Sequence, residues 1–366
     1  MNAPSSARPK RKAASLSPWI DPARAYRPRP EDTRIDLFLD ANEGHMLPSA
    51  LQRLAAATEA DLCRYPNFAE LEQRLGRLWD VDPKRIVCSA GGDEAIARVC
   101  ASRLSPGAKL LEYAPAFPMY SIYGSTRGAE TLSLPWYDGE DFPLYASLET
   151  IANCASLGLV CVASPANPSG AAASASDLRS IARACAEPGK AFLFDGAYAD
   201  FADYDPSAEL ASEGSTFIVR TFSKTYGLAG LRLGYAIAPD ADEADRLRAA
   251  GAPYPSSPLA ARLALVSLDD ERGLMKAVSR IKKERDELYQ FLQAAGARAL
   301  PSQANFVFAR VRDAAALSEA LARLGIAIRS YAGKPGLEDG LRISCPGNAQ
   351  DFGRLLKALD AARSFI

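Results

Sequence analysis

The chain has 366 residues, 48% of them hydrophobic and 24% charged, ordinary values for a globular protein of two or three domains. Its 43 basic residues nearly cancel its 44 acidic ones, so no large field draws in nucleic acid or a membrane surface. An anionic ligand would have to be held by local donors. No window approaches the roughly 18 unbroken apolar residues of a membrane span, and the basic start is followed by no apolar run that would make a secretory signal. The seven cysteines are odd in number and form no C-x-x-C pair, which predicts reduced thiols in a cytoplasmic protein, with no disulfide frame and no metal site.

In chain order, residues 1–34, rich in Pro, Ser and Arg toward the start, read as a partly disordered arm. The apolar run at 35–40 follows, within a segment (35–59) expected to associate with a smaller C-terminal domain. Over 60–255, β-like runs at 85–89, 109–113, 130–134, 158–163, 191–195, 216–220 and 233–238 alternate with Ala-rich helical segments such as 175–186. That alternation predicts an α/β domain with a mostly parallel seven-stranded sheet and helices on both faces. The continuous apolar strands suit a sheet buried on both sides. From residue 256 the texture changes. One long helix is expected over about 259–296, then a strand at 305–311, a helix at 313–324, the strands I-A-I-R and L-R-I-S, and a last helix after Asn348. Residues 256–366 therefore read as a smaller α+β domain.

Four short segments could carry chemistry, and each follows a predicted strand. Lys224 lies in T-F-S-K-T-Y-G-L-A-G-L-R among small and hydroxyl residues, with Arg232 eight positions on. A lysine that bonds covalently to a carbonyl group needs such a setting, and the arginine offers a fork suited to phosphate. A plain surface lysine is the alternative. G-G-D-E (91–94) can aim backbone N–H groups at a phosphate from a helix start, or be an ordinary turn capped by Asp93. Asp195, in D-G-A-Y, stands where doubly wound sheets place ligands, or caps a helix. Asn167, in S-P-A-N-P-S-G, sits in a rigid turn and can donate to an anionic oxygen, or merely forms the turn.

Taken together and in this order, the segments resemble the fold-type I pyridoxal 5′-phosphate (PLP) enzymes, and in detail the histidinol-phosphate aminotransferase family, from about Tyr26 to the end. The resemblance implies that Lys224 holds PLP as a Schiff base. Asp195 would pair with the pyridine nitrogen, while Tyr198 and Asn167 would contact the ring oxygen. Gly92, Asp93, Glu94, Thr221, Ser223 and Arg232 would form the phosphate cup. The aromatic stacked on the ring would be Tyr120, from P-A-F-P-M-Y, with Phe117 its rival. Tyr65, in R-Y-P, would reach the partner subunit's cofactor, which implies a homodimer. Tyr26, Asn42, Arg329 and Arg342 would bind substrate, with Arg342 the anion clamp. The chain departs from the family where N-E-N-P becomes N-E-G-H (42–45), D-E-A-Y becomes D-G-A-Y, and C-P-G follows L-R-I-S.

The implied reaction is transamination between an amino acid or amino-alcohol phosphate and a 2-oxo acid, with 2-oxoglutarate the default acceptor. Three alternatives stand beside it: another amino donor in the same reaction, a lyase resembling threonine-phosphate decarboxylase, and a PLP-binding regulatory module. The short first segment holds no evident DNA-binding domain, which counts against the last. The single histidine, His45, reads as a loop residue, since a lysine can carry the protons.

Overall fold

The structure is a computed structural model describing residues 18–25, 32–137, 140–186, 189–213 and 215–366. The chain first forms the short strand β1 (Leu37–Leu39). After helices at Pro48–Ala55, Glu59–Cys63 and Ala69–Trp79, it lays down β2 (Ile86–Ser89), β3 (Lys109–Ala114), β4 (Glu130–Pro135), β5 (Leu157–Ala163), β6 (Ala191–Asp195), β7 (Thr216–Thr221) and β8 (Gly234–Ile237). These seven form one sheet in the order β2-β8-β7-β6-β5-β3-β4. The expected strands all occur, with ends shifted by a residue or so.

Helical crossovers such as Met119–Ser125 and Ala175–Cys185 return the chain to the same end, so β3 to β7 run parallel. Between β7 and β8 lies only a short loop with one 3₁₀ turn at Ala229–Leu231. The link carries no crossover helix, and β8 comes back antiparallel to β7 and β2. The loop carrying Lys224 is thereby left at the carboxyl end of β7. Side chains alternate between two cores: in β6, Phe192 and Phe194 enter one, Ala191 and Leu193 the other. Both faces are thus covered, as the unbroken apolar runs require.

The second sheet is built from β9 (Arg298–Ala299), β10 (Phe306–Arg310), β11 (Ile326–Ser330) and β12 (Gly340–Ser344), with β1 parallel to β11 at its edge. Two expectations need correction. The long helix is two, Pro258–Asp269 and Glu271–Ala295, broken at Asp270, whose carboxylate accepts from Gly273 N at 2.9 Å. The first of them buries Ala260, Leu263, Ala264 and Leu268 in the large-sheet core, beside Ala50. Leu288 and Leu292 of the second belong to the small-sheet core. The change of core therefore falls between Leu274 and Val278, in the first turns of the second helix, and not near residue 256, and the helix Pro48–Ala55 goes with the larger sheet. All seven cysteines are free thiols; Cys63 is exposed.

Candidate active site

The carboxyl ends of β2, β3, β5, β6 and β7 open on a cavity of about 610 Å³. Gly92, Asp93, Phe117, Asn167, Asp195, Tyr198, Thr221, Ser223, Lys224 and Arg232 line it, with Ala41 and Glu43 arriving from the N-terminal segment. This is where a doubly wound sheet places its ligands.

One end of the cavity is cationic and rich in donors. The helix Gly91–Arg103 begins at once after β2, so its first backbone N–H groups have no partner within the helix. Gly91 has φ +78°, and a Cβ there would lie 2.7 Å from Arg232 Nη2. Only glycine lets the guanidinium lie against this turn. Arg232 is itself left-handed at φ 52°; its Nη2 donates to Asp93 Oδ2 at 3.0 Å and its Nη1 to the Ala229 carbonyl at 3.1 Å. Thr221 Oγ1 donates to Ser223 Oγ at 2.9 Å. Glu94, expected in this cup, does not line the cavity. Its carboxylate turns back to accept from Ala90 N at 2.5 Å and from Arg98 Nη2 at 2.9 Å, capping the helix start instead.

A buried carboxylate closes the floor. Asp195, the last residue of β6, is 6% exposed and accepts from Tyr120 Oη at 2.6 Å and Ala197 N at 3.0 Å. Burial pushes its carboxyl above the usual range, while the hydrogen bonds from Tyr120 and Ala197 pull it back. Tyr120 is therefore not where a stacking ring belongs. It is 2% exposed and lies behind Asp195, and the ring at the cavity wall is that of Phe117, edge-on to it at 5.8 Å between centroids. The helix Met119–Ser125 turns position 120 into the sheet, which the spacing of two nearby aromatics does not reveal.

Lys224 Nζ donates to the Ala41 carbonyl at 3.0 Å and stands 5.8 Å from the centre of the Tyr198 ring. Its loop and the segment after Asn42 interlock through two glycines. A Cβ on Gly44 would fall 1.9 Å from the Lys224 carbonyl oxygen, and one on Gly227 (φ +65°) 2.1 Å from His45 C. Asn42, buried and at φ 54°, ties the two sheets together. Its amide donates to Tyr198 Oη at 2.9 Å, its side-chain oxygen accepts from Ser344 Oγ at 2.7 Å, and its carbonyl accepts from Asn305 Nδ2 at 3.2 Å.

Arg342, on β12, reaches this junction from the small sheet. It donates to Asn167 Oδ1 and to the Asp40 carbonyl, both at 2.5 Å, and its buried Nε has no partner among the described residues. Arg329 lies opposite it in register on β11, with an exposed side chain. Tyr65 is outside the cavity lining, 79% exposed and stacked on Tyr254 at 4.5 Å. His45 is exposed beside Asn348, and Tyr26 lies outside the described residues.

The residues that support the site were not evident from sequence. Arg220, buried on β7, pairs with Asp200 and Asp205, and Asp200 accepts from Thr225 Oγ1 at 2.7 Å, holding the Lys224 loop from below. An arginine ending an apolar strand (T-F-I-V-R) was the available signal. Ser344 and Asn305 left none.

A model of the aminotransferase class I and II family matches residues 37–359. The histidinol-phosphate aminotransferase of Haloferax volcanii is 33% identical over 317 residues, covering 85% of this chain and 86% of its own. The Roseiflexus castenholzii protein of the same name is 34% identical over 319 residues, with 84% of each covered. Among solved structures, histidinol-phosphate aminotransferase from Sinorhizobium meliloti, in complex with pyridoxal-5′-phosphate, superposes with a TM-score of 0.82 at 25% identity, covering 90% of this chain and 91% of that one. The chain belongs to the class I and II aminotransferases, within the histidinol-phosphate aminotransferase-like family, and is a PLP-dependent aminotransferase.

The residues present fit that cofactor. A lysine amine, a buried carboxylate able to hold a ring proton, an aromatic wall and a glycine turn packed on an arginine all face one cavity.

Proposed function

We propose that this site moves an amino group between a phosphorylated amino alcohol resembling histidinol phosphate and a 2-oxo acid such as 2-oxoglutarate. The observation that carries the reading is the meeting of Lys224 and Asp195 in one cavity with Arg342 held at its edge from the other sheet. The relatives' names point to the same substrate class.

When bound, PLP supplies an electron sink for the charge left on the substrate carbon that loses its proton. Gly92 N–H, Ser223, Thr221 and Arg232 would hold its phosphate, and Lys224 its carbonyl carbon. Asp195, buried and braced by Tyr120, would keep a proton on the ring nitrogen. Its negative charge is uncomfortable when buried alone, so a cationic partner is favoured there. Phe117 would cover one face of the ring, while Tyr198 and Asn167 would orient its oxygen. Lys224 Nζ, when free, would be the base that takes the proton from the substrate α-carbon, and as an ammonium it would hold that proton for return. Arg342 would exchange Asn167 or the Asp40 carbonyl for the ligand's anionic group, where its fork gives bidentate contact. Arg329, in register with it, adds a second cation suited to a phosphate dianion.

The active unit in this reading is a cytoplasmic homodimer in which Tyr65 crosses to the partner's site. Its 79% exposure and its stack on Tyr254 support a role at an interface. Among the described residues no helix is long and apolar enough to cross a membrane.

A panel of amino donors, each mixed with the PLP-loaded protein and followed by loss of the cofactor's visible absorbance, tests the function. Histidinol phosphate should bleach the band, and 2-oxoglutarate should restore it. A band bleached only by unphosphorylated amino acids would refute the substrate assignment. Consumption of donor with no need of a 2-oxo acid would favour the lyase.

A further inference from the structure

We infer that Glu43 selects the substrate: its carboxylate receives an N–H donor, such as an imidazole edge, from a substrate held in the cavity. The inference rests on the function proposed above.

The cavity is lined by three carboxylates, and two have partners. Asp93 pairs with Arg232 at 3.0 Å, and Asp195 is bound by Tyr120 and Ala197. Glu43 lines the same cavity, and its carboxylate has no hydrogen-bond or ion-pair partner among the described residues. Lys224, which lines the same cavity, spends its Nζ on the Ala41 carbonyl.

Glu43 is exposed, but its backbone is firmly held. Asn42 before it is 1% exposed, left-handed, and fixed by Tyr198, Ser344 and Asn305. Gly44 after it presses on the Lys224 carbonyl so closely that no side chain fits without a shift. The backbone is thus clamped on both sides of a free carboxylate. That carboxylate faces the space a substrate must enter, two residues from the carbonyl that holds the catalytic amine. A pre-positioned acceptor of this kind rewards a ligand that brings a donor and penalises one that leaves the charge desolvated and unpaired. With Arg342 and Arg329 reading an anion, the site then reads two features of one molecule: an anionic group and an N–H.

The probes are imidazolylethyl phosphate and phenylethyl phosphate, which lack the amine and cannot react. Their dissociation constants are measured by titration calorimetry on PLP-loaded wild-type protein and on Glu43→Gln and Glu43→Ala. The wild type should favour the imidazole ester by about tenfold or more, the scale of a hydrogen bond to a charged group. Both substitutions should collapse that ratio toward unity. A ratio near one in the wild type, a ratio unchanged by the substitutions, or binding of neither ester overturns the inference. Turnover of histidinol phosphate with 2-oxoglutarate by the same wild-type preparation reports separately on the function. Turnover with a Glu43-independent ratio refutes this role alone, whereas absence of turnover refutes the substrate assignment beneath it.

Discussion

Tyr120→Phe removes one oxygen and separates two views of the active-site floor. In the structure that oxygen is a donor, 2.6 Å from Asp195 Oδ2, with both residues buried. A hydrogen bond to a charged group contributes about 1.5–3 kcal/mol, and its loss leaves the carboxylate oxygen desolvated. The cost should depend on pH. Burial already raises Asp195 above its ordinary value of 3.8, and the Tyr120 bond opposes that rise. In the variant the folded-state carboxyl titrates higher still, so between the two ranges the folded state holds a proton that the unfolded chain has released. Stability then falls as pH rises through that window. Urea denaturation of cofactor-free wild type and variant, from about pH 4 to pH 8, should show a small penalty at the acid end that grows to about 1.5–3 kcal/mol near neutrality. If Tyr120 were the stacking ring, phenylalanine would keep the ring and cost little at any pH. A penalty that is absent, or constant with pH, refutes the placement of Tyr120 behind Asp195. The complementary variant, Phe117→Ala, should weaken PLP binding by about three- to tenfold, the scale of one aromatic contact, and leave the pH dependence as in the wild type.

Lys224→Ala should hold PLP without covalent attachment. Borohydride reduction followed by mass spectrometry should fix the cofactor to the wild type and not to the variant; cofactor fixed to both would place the bond elsewhere. Arg220→Met leaves Asp200 and Asp205 without their cation, and breaking a buried pair in this way costs about 3–5 kcal/mol. Equilibrium denaturation reads the loss, and a change under about 1 kcal/mol would show the network to be dispensable. Gly44→Ala drives a methyl toward the Lys224 carbonyl, 1.9 Å away. It should cost about 1–3 kcal/mol by overpacking and slow turnover, whereas wild-type stability and rate would mean that the two segments do not meet so closely.

The large sheet was legible because its strands are continuous apolar runs with helical crossovers between them, a pattern few architectures satisfy. The site positions followed from it, since Asp195, Lys224 and the Gly91–Gly92 turn each stand at the end of such a run. What could not be read were features set by contacts distant in sequence. Phe117 and Tyr120 are two aromatics in one short segment, and only the helix Met119–Ser125 decides which faces the cavity and which lies behind Asp195. Glu94 looked like part of the phosphate turn because its neighbours Gly92 and Asp93 line the cavity, but its side chain is long enough to fold back on the helix start. The helix break at Asp270 was hidden because the apolar periodicity runs on across it, and one capping aspartate among several acidic residues carries no mark.

The departure at Gly44 and His45 has a physical cause that bears on specificity. In the sequence it weakens the match to the family where substrate should sit. In the structure the same dipeptide lies on the Lys224 loop, with Gly44 against the Lys224 carbonyl and His45 against Gly227. Two glycines facing each other's backbones let the N-terminal segment approach more closely than any pair bearing Cβ atoms could. That approach sets where Ala41 can hold the Lys224 amine and where Glu43 enters the cavity. The substitution is therefore compensated within the chain, Gly44 by its fit to the lysine loop and Gly227 by its fit to His45. The segment it reshapes is the one whose free carboxylate meets the substrate, so a change of specificity relative to other family members would originate here before it originated at Arg342.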